Sequence, residues 1–332
     1  MPLLGTNVLT LVDHAKRQDP DGKIAKIIEM LAQTNSILED MPFLEGNLPT
    51  GHRVTMRTGL PTVAWRLLNQ GVQPSKGKTA QSDEQCGMLE AFSEVDKDLA
   101  ELNGDINAFR FSEAMAFIEA MNQEMASTLF YGNSGLAPEE FTGFSIRYSD
   151  LGADNAQNIL DAGGTGSDNT SIWLVGWGEQ SACGIYPKGS KVGLVHEDLG
   201  LETVNDATGI GGSKFRAYLE HFQWKCGLAL KDWRYTVRVA NIDVSNLNTG
   251  SAADLQEFMI KSLHRIPNPG MVRPVFYMNR SCFQYLDLQR RADVIAGGQL
   301  SYDVVDGKRI PMFRGVPIKI VDALLETEAR VV

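Results

Sequence analysis

The chain has 332 residues, enough for two or three domains and a sizeable core. With 43% hydrophobic and 22% charged residues its composition is that of a folded protein, which excludes wholesale disorder. A formal net charge of −10 argues against a sequence-independent grip on duplex DNA, which needs a basic surface. Cys86, Cys183, Cys226 and Cys282 are scattered, with no CxxC pair and no clustered His. No metal site is expected, and few cysteines in a long chain read as free thiols in a reducing cytoplasm. The N-terminal stretch lacks the continuous apolar core of a secretory leader, and no apolar run approaches the ~18 residues of a membrane span. Asn169-Thr170-Ser171 and Asn279-Arg280-Ser281 therefore read as chance matches to the glycosylation pattern.

Residues 1–45 read as an arm with helical pieces. Ile24, Ile27, Ile28, Leu31 and Leu38 fall mostly at helical spacing after the breaker Asp19-Pro20-Asp21-Gly22, and Met41-Pro42 ends the helix. Residues 46–80 contain no Asp or Glu; Arg53, Arg57, Arg66, Lys76 and Lys78 give the stretch a charge of +5. His52 to Thr58 alternates polar and apolar, Gly59-Leu60-Pro61 is a turn, and Thr62 to Leu68 is β-branched and aromatic. The spacing predicts a β-hairpin over 46–82 with too little apolar surface for a core of its own, so it should project and need a partner. The charge then reverses. Residues 81–105 hold Asp83, Glu84, Glu90, Glu94, Asp96, Asp98, Glu101 and Asp105 against Lys97 alone, a net of −7. A basic arm beside an acidic body lets one copy complement another. The expected intersubunit contacts are Arg53, Arg57, Arg66, Lys76 and Lys78 on the arm, and Glu90, Glu94, Asp96 and Asp98 on the body. This pattern points to assembly rather than catalysis.

Residues 109–131 carry the strongest helical pattern. Ala114, Ile118, Met121, Met125 and Leu129 make an apolar seam, and Gly132-Asn133 stops it. Such a helix is roughly 35 Å long. Residues 133–170 are loop-rich. Strands follow: Ser171 to Gly178, then Phe215 to Leu230 and Trp233 to Val244, read as a long hairpin turning at Lys231-Asp232. Ala253 to His264 is an amphipathic helix broken by Pro267-Asn268-Pro269-Gly270. Val275 to Met278 is a short buried strand and Ser281 to Arg290 a helix. A last hairpin runs from Tyr302 to Val305 and from Lys308 to Phe313 across Asp306-Gly307, and Gly315 to Val321 is the closing strand.

No motif builds an active site, and no enzyme activity or cofactor is expected. Gly71-Val72-Gln73-Pro74-Ser75-Lys76-Gly77-Lys78-Thr79 ends like a phosphate-binding loop, but its glycines are one residue too far apart and Pro74 removes a donor. A soluble nucleotide-binding enzyme using this loop is the alternative reading; a solvated basic loop is the better one. Gly209-Ile210-Gly211-Gly212-Ser213-Lys214 does not complete a dinucleotide fingerprint. His14, His52, His196, His221 and His264 are isolated, and GxSxG and HExxH are absent. The acidic run of 83–105 does not follow the EF-hand pattern.

The order of elements resembles the major capsid proteins of tailed bacteriophages, the HK97-like fold. The carriers are an N-terminal arm, a projecting basic hairpin, an acidic strand region and a long spine-like helix. The passage Tyr131-Gly132-Asn133-Ser134-Gly135-Leu136-Ala137-Pro138-Glu139-Glu140-Phe141-Thr142-Gly143 is similar to that family's Gly/Pro-rich exit from its spine helix. Met278-Asn279 before a helix, and Phe313-Arg314-Gly315-Val316-Pro317-Ile318-Lys319-Ile320-Val321-Asp322, resemble two further family elements. Cys86-Gly87-Met88-Leu89-Glu90 and Met121-Asn122-Gln123-Glu124-Met125-Ala126 resemble segments of short-tailed phage and prophage capsid proteins.

The resemblance implies an α+β fold with four parts. These are an arm over 1–45, an extended hairpin loop over 46–82, a peripheral domain over 83–135 and 171–247, and an axial domain over 136–170 and 248–332. It implies a shell subunit in hexamers and pentamers around double-stranded DNA, touching the packaged DNA weakly and no membrane. It also implies a separate scaffolding protein, a portal, a possible decoration protein, and synthesis in a bacterial cytoplasm. Lys–Asn cross-linking through Lys76 or Lys78 would need a buried, deprotonated lysine, so an uncross-linked shell is the default. One departure stands out: the expected hairpin 215–244 precedes Met278-Asn279, whereas in many members a long hairpin follows the Gly-x-Pro-Val segment.

Overall fold

The structure is a computed structural model, describing residues 33–102, 105–205, 214–247, 253–292, 300–305 and 308–332. In chain order the elements are α1 (Ile37–Asp40), β1 (Phe43–Glu45), β2 (Gly51–Gly59), β3 (Lys78–Asp96), α2 (Lys97–Glu101), α3 (Ile106–Tyr131) and α4 (Phe144–Arg147). Then come β4 (Ile159–Asp161), β5 (Asn169–Trp177), β6 (Ala182–Tyr186), β7 (Leu194–Asn205), β8 (Lys214–Leu230), β9 (Thr236–Asp243) and α5 (Leu255–Arg265). The chain closes with β10 (Arg273–Met278), α6 (Arg280–Ala292), β11 (Leu300–Val305), β12 (Lys308–Phe313) and β13 (Val316–Ile320). The expected helical segment Ile24–Leu31 lies outside the described residues; Leu38 falls in α1. The described residues divide into two compact units, one of residues 33–35, 88–102, 105–126, 193–205 and 214–225, the other of 36–87, 127–192, 226–247, 253–292, 300–305 and 308–332.

The larger unit is organised by β5, all nine of whose residues are buried. It pairs antiparallel with β9 on one side and β10 on the other. β13 then adds in parallel to β10. Strand alternation sends side chains to two faces. On one, Ile172 and Leu174 join Val237, Val239 and Phe276 under Leu255 and Met259 of α5 and Cys282 and Leu286 of α6. On the other, Trp173 and Trp177 meet Phe144 with ring centroids 5.7 and 6.0 Å apart, and Trp173 also meets Phe130 and Tyr148. Short caps fix the helices: Asp254 accepts from Glu257 N at 3.1 Å at the start of α5, and Asn279 from Cys282 N at 2.9 Å at the start of α6. Arg314 and Gly315, both at positive φ (50° and 82°), make the two-residue turn between β12 and β13.

A buried polar network ties the last residues of the chain into this unit. Arg238 Nη2 donates to Glu328 Oε2 at 2.8 Å, with the two side chains only 3% and 4% exposed. Arg238 also donates to Tyr148 O at 2.8 Å and Ser171 Oγ at 3.0 Å, and its guanidinium lies over the Trp173 ring. Tyr131 OH donates to Glu328 Oε1 at 2.5 Å, and Ser171 Oγ hydrogen-bonds Glu328 as well. Burial, reinforced by the Glu328 charge, pushes the Tyr131 phenol far above its ordinary value, so it remains a donor. Three residues further on, Asn241 brackets Val331 with bonds to its N–H and C=O.

The smaller unit packs residues 106–126 of α3 with strand residues of β3, β7 and β8. Met121 and Ala114 are buried with Phe222, beside Phe117, Leu89 and Trp224. Nearer the start of α3, Phe109 packs with Val95, Leu99 and Ala100. Arg110 bridges Asp198 at 2.6 Å and Glu220 at 2.7 Å, and sits over Tyr218.

Three expectations change. Thr62 to Leu68 is not a strand. The partner of β2 is β3, with Arg53 opposite Asp83 and Arg57 opposite Thr79, so the returning strand starts at Lys78 and continues through the acidic stretch. Phe215–Leu230 and Trp233–Val244 are strand-rich but do not pair with each other. β8 pairs with β7 and β6, while β9 pairs with β5 and β4. The long hairpin is thus β7–β8, and the 215–244 order that departed from the family pattern does not exist as a hairpin. Finally, the apolar seam of α3 narrows: Ala114, Met121, Met125 and Leu129 are buried, whereas Ile118 is exposed.

Candidate assembly surface

The most prominent surface feature is the excursion between β2 and β3. Its root is fixed. Gly51 is buried against the Glu84–Gln85 backbone, where a Cβ would lie 2.0 Å from Glu84 O, so only glycine fits without a shift. Glu84, itself buried, receives both terminal nitrogens of Arg147, at 2.8 and 2.6 Å. Arg147 also donates to Thr142 O and Leu228 O. This bidentate pair holds the base of the hairpin to α4 and β8.

Beyond the bulge between Arg57 and Gly59 the ladder ends. Residues 60–77 carry no strand or helix and are exposed throughout. Pro61 cannot extend the ladder through its nitrogen. Ser75 Oγ to Thr62 O, at 2.7 Å, ties the two sides together, and Gln70 N to Leu67 O, with Asn69 at φ 68°, closes the tip. The loop displays Leu60, Val63, Trp65, Leu67, Leu68 and Val72; Trp65 is fully exposed and Leu68 90% exposed. A folded surface rarely gathers that many large apolar side chains without a use for them.

The residues singled out by charge fall into two groups. Arg53 is engaged within its own hairpin: Nε and Nη2 reach the two carboxylate oxygens of Asp83 at 2.6 and 2.7 Å. That hydrogen bond holds the Asp83 carboxyl below its ordinary value. Arg57, Arg66, Lys76 and Lys78 are exposed and make no ion pair with the described residues. On the acidic side, Asp96 caps α2 by accepting from Asp98 N at 2.8 Å. Glu90 hydrogen-bonds Gln223 and lies 3.7 Å from His221, whose ring stacks on Phe92. Burial raises the Glu94 carboxyl above its ordinary value. Asp98 is exposed on α2.

The nucleotide reading fails on geometry. Lys78-Thr79 opens strand β3 rather than a helix, so the loop before it has no helix N-terminus to present to a phosphate. Among the described residues no group of three or more His, Cys, Asp or Glu is placed to hold a metal ion. Residues 209–213 lie outside the described residues, and Lys214 begins β8. Lys76 and Lys78 have no buried setting within their own chain.

Sequence reasoning missed β7, the Arg238–Glu328 network and the apolar character of the loop tip. For the tip a signal was present in Leu60, Val63, Trp65, Leu67 and Leu68, apolar residues in a stretch opened by Gly59 and Pro61, which interrupt a strand.

Comparison with known proteins bears on the family and the fold. A family model described as "Major capsid protein GP7" matches residues 19–332. A chain of the cryo-EM structure of bacteriophage Epsilon15 is 34% identical with a TM-score of 0.79, over 100% of this chain and 99% of that one. The bacteriophage JBD30 capsid is 10% identical with a TM-score of 0.49, covering 89% of this chain and 93% of that one. The SrpI encapsulin of Synechococcus elongatus is 12% identical with a TM-score of 0.46, over 70% of this chain and 96% of that one. No curated protein sequence matched. The matched model spans nearly the whole chain, and the Epsilon15 chain shares its fold from end to end. The chain belongs to the major capsid protein GP7 family, with the HK97-like fold, and is a structural subunit of an icosahedral phage head shell.

Proposed function

We propose that the subunit closes its shell by inserting the 60–77 loop against an adjoining copy, with the loop's apolar tip as the anchor and its basic residues as the guide. The observation that carries this is the exposure of Leu60, Val63, Trp65, Leu67 and Leu68 on a loop whose root is clamped by Arg147 and Glu84. A rigid root aims the tip, so less is lost to ordering when it docks. Arg57, Arg66, Lys76 and Lys78 flank the tip. The acceptors we assign on the neighbour are Glu90, Glu94, Asp96 and Asp98, with Asp98 the most accessible. Arg53 is given a lesser part, because Asp83 already engages it.

By the same family logic, the subunit is made in a bacterial cytoplasm and assembles with a separate scaffolding protein and a portal, with a decoration protein as a further partner. We assign the peripheral-domain role to the unit containing α3 and β7–β8, and the axial role to the unit built on β5. The test is Trp65→Glu with Leu68→Glu. The double variant should stay soluble with wild-type circular dichroism and melting, yet form no particles by sedimentation and negative-stain microscopy. Particles at wild-type yield would show that the tip is not an anchor.

A further inference from the structure

Helix α3 has a second apolar face that the smaller unit leaves open. Its inward face carries Ala114 and Met121 into the core around Phe222. Phe111, Met115 and Ile118 occupy a separate stripe at i, i+4 and i+7, and are 68%, 47% and 37% exposed. Such a stripe is what a second amphipathic helix packs on.

The first described residue of the chain sits beside it. Gln33 N donates to Glu119 Oε1 at 2.9 Å, and Glu119 follows Ile118 directly on the helix. Upstream of Gln33 the sequence carries Ile24, Ile27, Ile28 and Leu31, spaced i, i+3, i+4 and i+7. Residues 33–35 belong to the same unit as this part of α3. We propose that segment 24–31 of the chain's own N-terminal arm docks as a helix on the Phe111–Met115–Ile118 stripe, parallel to α3.

Reach and length agree. Leu31 is two residues before Gln33, and at ~3.8 Å per residue it stays within roughly 8 Å of the Glu119 anchor. The seven-residue step from Phe111 to Ile118 rises ~10.5 Å along a helix, as does the step from Ile24 to Leu31. Starting from the anchor, Leu31 comes to Ile118 and Ile24 to Phe111. The tether favours the chain's own arm over another copy's, because an intramolecular segment held next to its site acts at a high effective concentration. Docking would make the arm part of the subunit's body, and residues before Ile24 would be presented from a defined place on α3.

The test is engineered cross-linking in the unassembled full chain. Leu31→Cys is combined with Ile118→Cys, and in a control with Ala120→Cys, which is exposed and half a turn away on α3. Under mild oxidation the 31–118 pair should give a disulfide within one chain, mapped by mass spectrometry, in clear excess over the 31–120 pair. A link formed only between chains, seen as a dimer on a non-reducing gel, would overturn the assignment to the chain's own arm. Equal yields for the two pairs would overturn docking on this stripe. An independent readout is Ile24→Asp with Ile28→Asp, which should raise the fluorescence of a hydrophobic dye by freeing the stripe. Unchanged dye binding would count against the proposal, and circular dichroism confirms that the body remains folded.

Discussion

Removing the Glu328 carboxylate should cost the larger unit a large share of its stability. Glu328 neutralises Arg238 at 2.8 Å where both side chains are almost fully buried, and it accepts from Tyr131 and Ser171. In Glu328→Ala the guanidinium stays buried without a counter-charge, at a cost of about 3–5 kcal/mol. The Tyr131 hydroxyl also loses its acceptor, adding about 1 kcal/mol or more. Against a typical total of ~5–15 kcal/mol this is severe. At roughly 2–4 °C per kcal/mol for a domain of ~150–250 residues, the transition should fall by about 8–24 °C. Scanning calorimetry of the unassembled subunit measures it. Replacing both partners, Arg238→Met with Glu328→Leu, should be milder than Glu328→Ala, because no charge is left unpaired. A Glu328→Ala transition within about 3 °C of wild type, a loss near 1 kcal/mol, would refute the claim that the chain's last residues complete the fold.

Met121→Lys should make the chain insoluble or abolish its cooperative melt, because Met121 is 4% exposed against Phe222 and the ammonium would have no partner there; a wild-type melting profile would show that this side of α3 is not core. The Arg110–Asp198 pair should add acid sensitivity to the smaller unit. Arg110's hydrogen bond holds Asp198 below its ordinary value, so the stabilisation is complete above the unfolded pKa of ~3.9 and is lost as pH falls through the lower folded value. Arg110→Met should flatten that part of the pH profile of the melting temperature below about pH 4, and an unchanged acid limb would assign the sensitivity elsewhere.

Much of the architecture was legible because it is written in local periodicity. The seam of α3 and the amphipathic α5 and α6 repeat at helical spacing, β10 is a short buried apolar run, and β13 alternates. What was not legible depends on partners far away in the chain. Thr62–Leu68 has strand-like residues, but a strand needs a neighbour, and β2 finds a better one at Lys78–Gln85. Phe215–Leu230 and Trp233–Val244 look like a hairpin because they are adjacent, yet β5 separates them in pairing: β9 joins β5, and β8 joins β6 and β7. The Arg238–Glu328 pair links residues 90 apart and carries no sequence signal. Arg53 shows the same limit for the assembly surface, since charge counting could not see that Asp83, opposite it in the ladder, already answers it.

The loop's geometry also reorders the forces expected between subunits. Exposed ion pairs contribute about 0–1 kcal/mol each, and salt screens them. A fully covered Trp, Leu or Val side chain contributes roughly 1.5–3 kcal/mol. Six such side chains project from 60–77, against four basic residues there and at its edges that lack a partner within the described chain. Even half-covered, the apolar set outweighs the charges. In the proposed contact the basic residues then act mainly on encounter and orientation, drawing the loop toward an acidic neighbour. In the proposed contact, affinity rests on the tip. A contact of the proposed kind should tolerate the loss of single charges and be sensitive to a polar group at Trp65 or Leu68, which under this proposal places the control of shell closure on the segment whose strand-like composition the fold leaves unpaired.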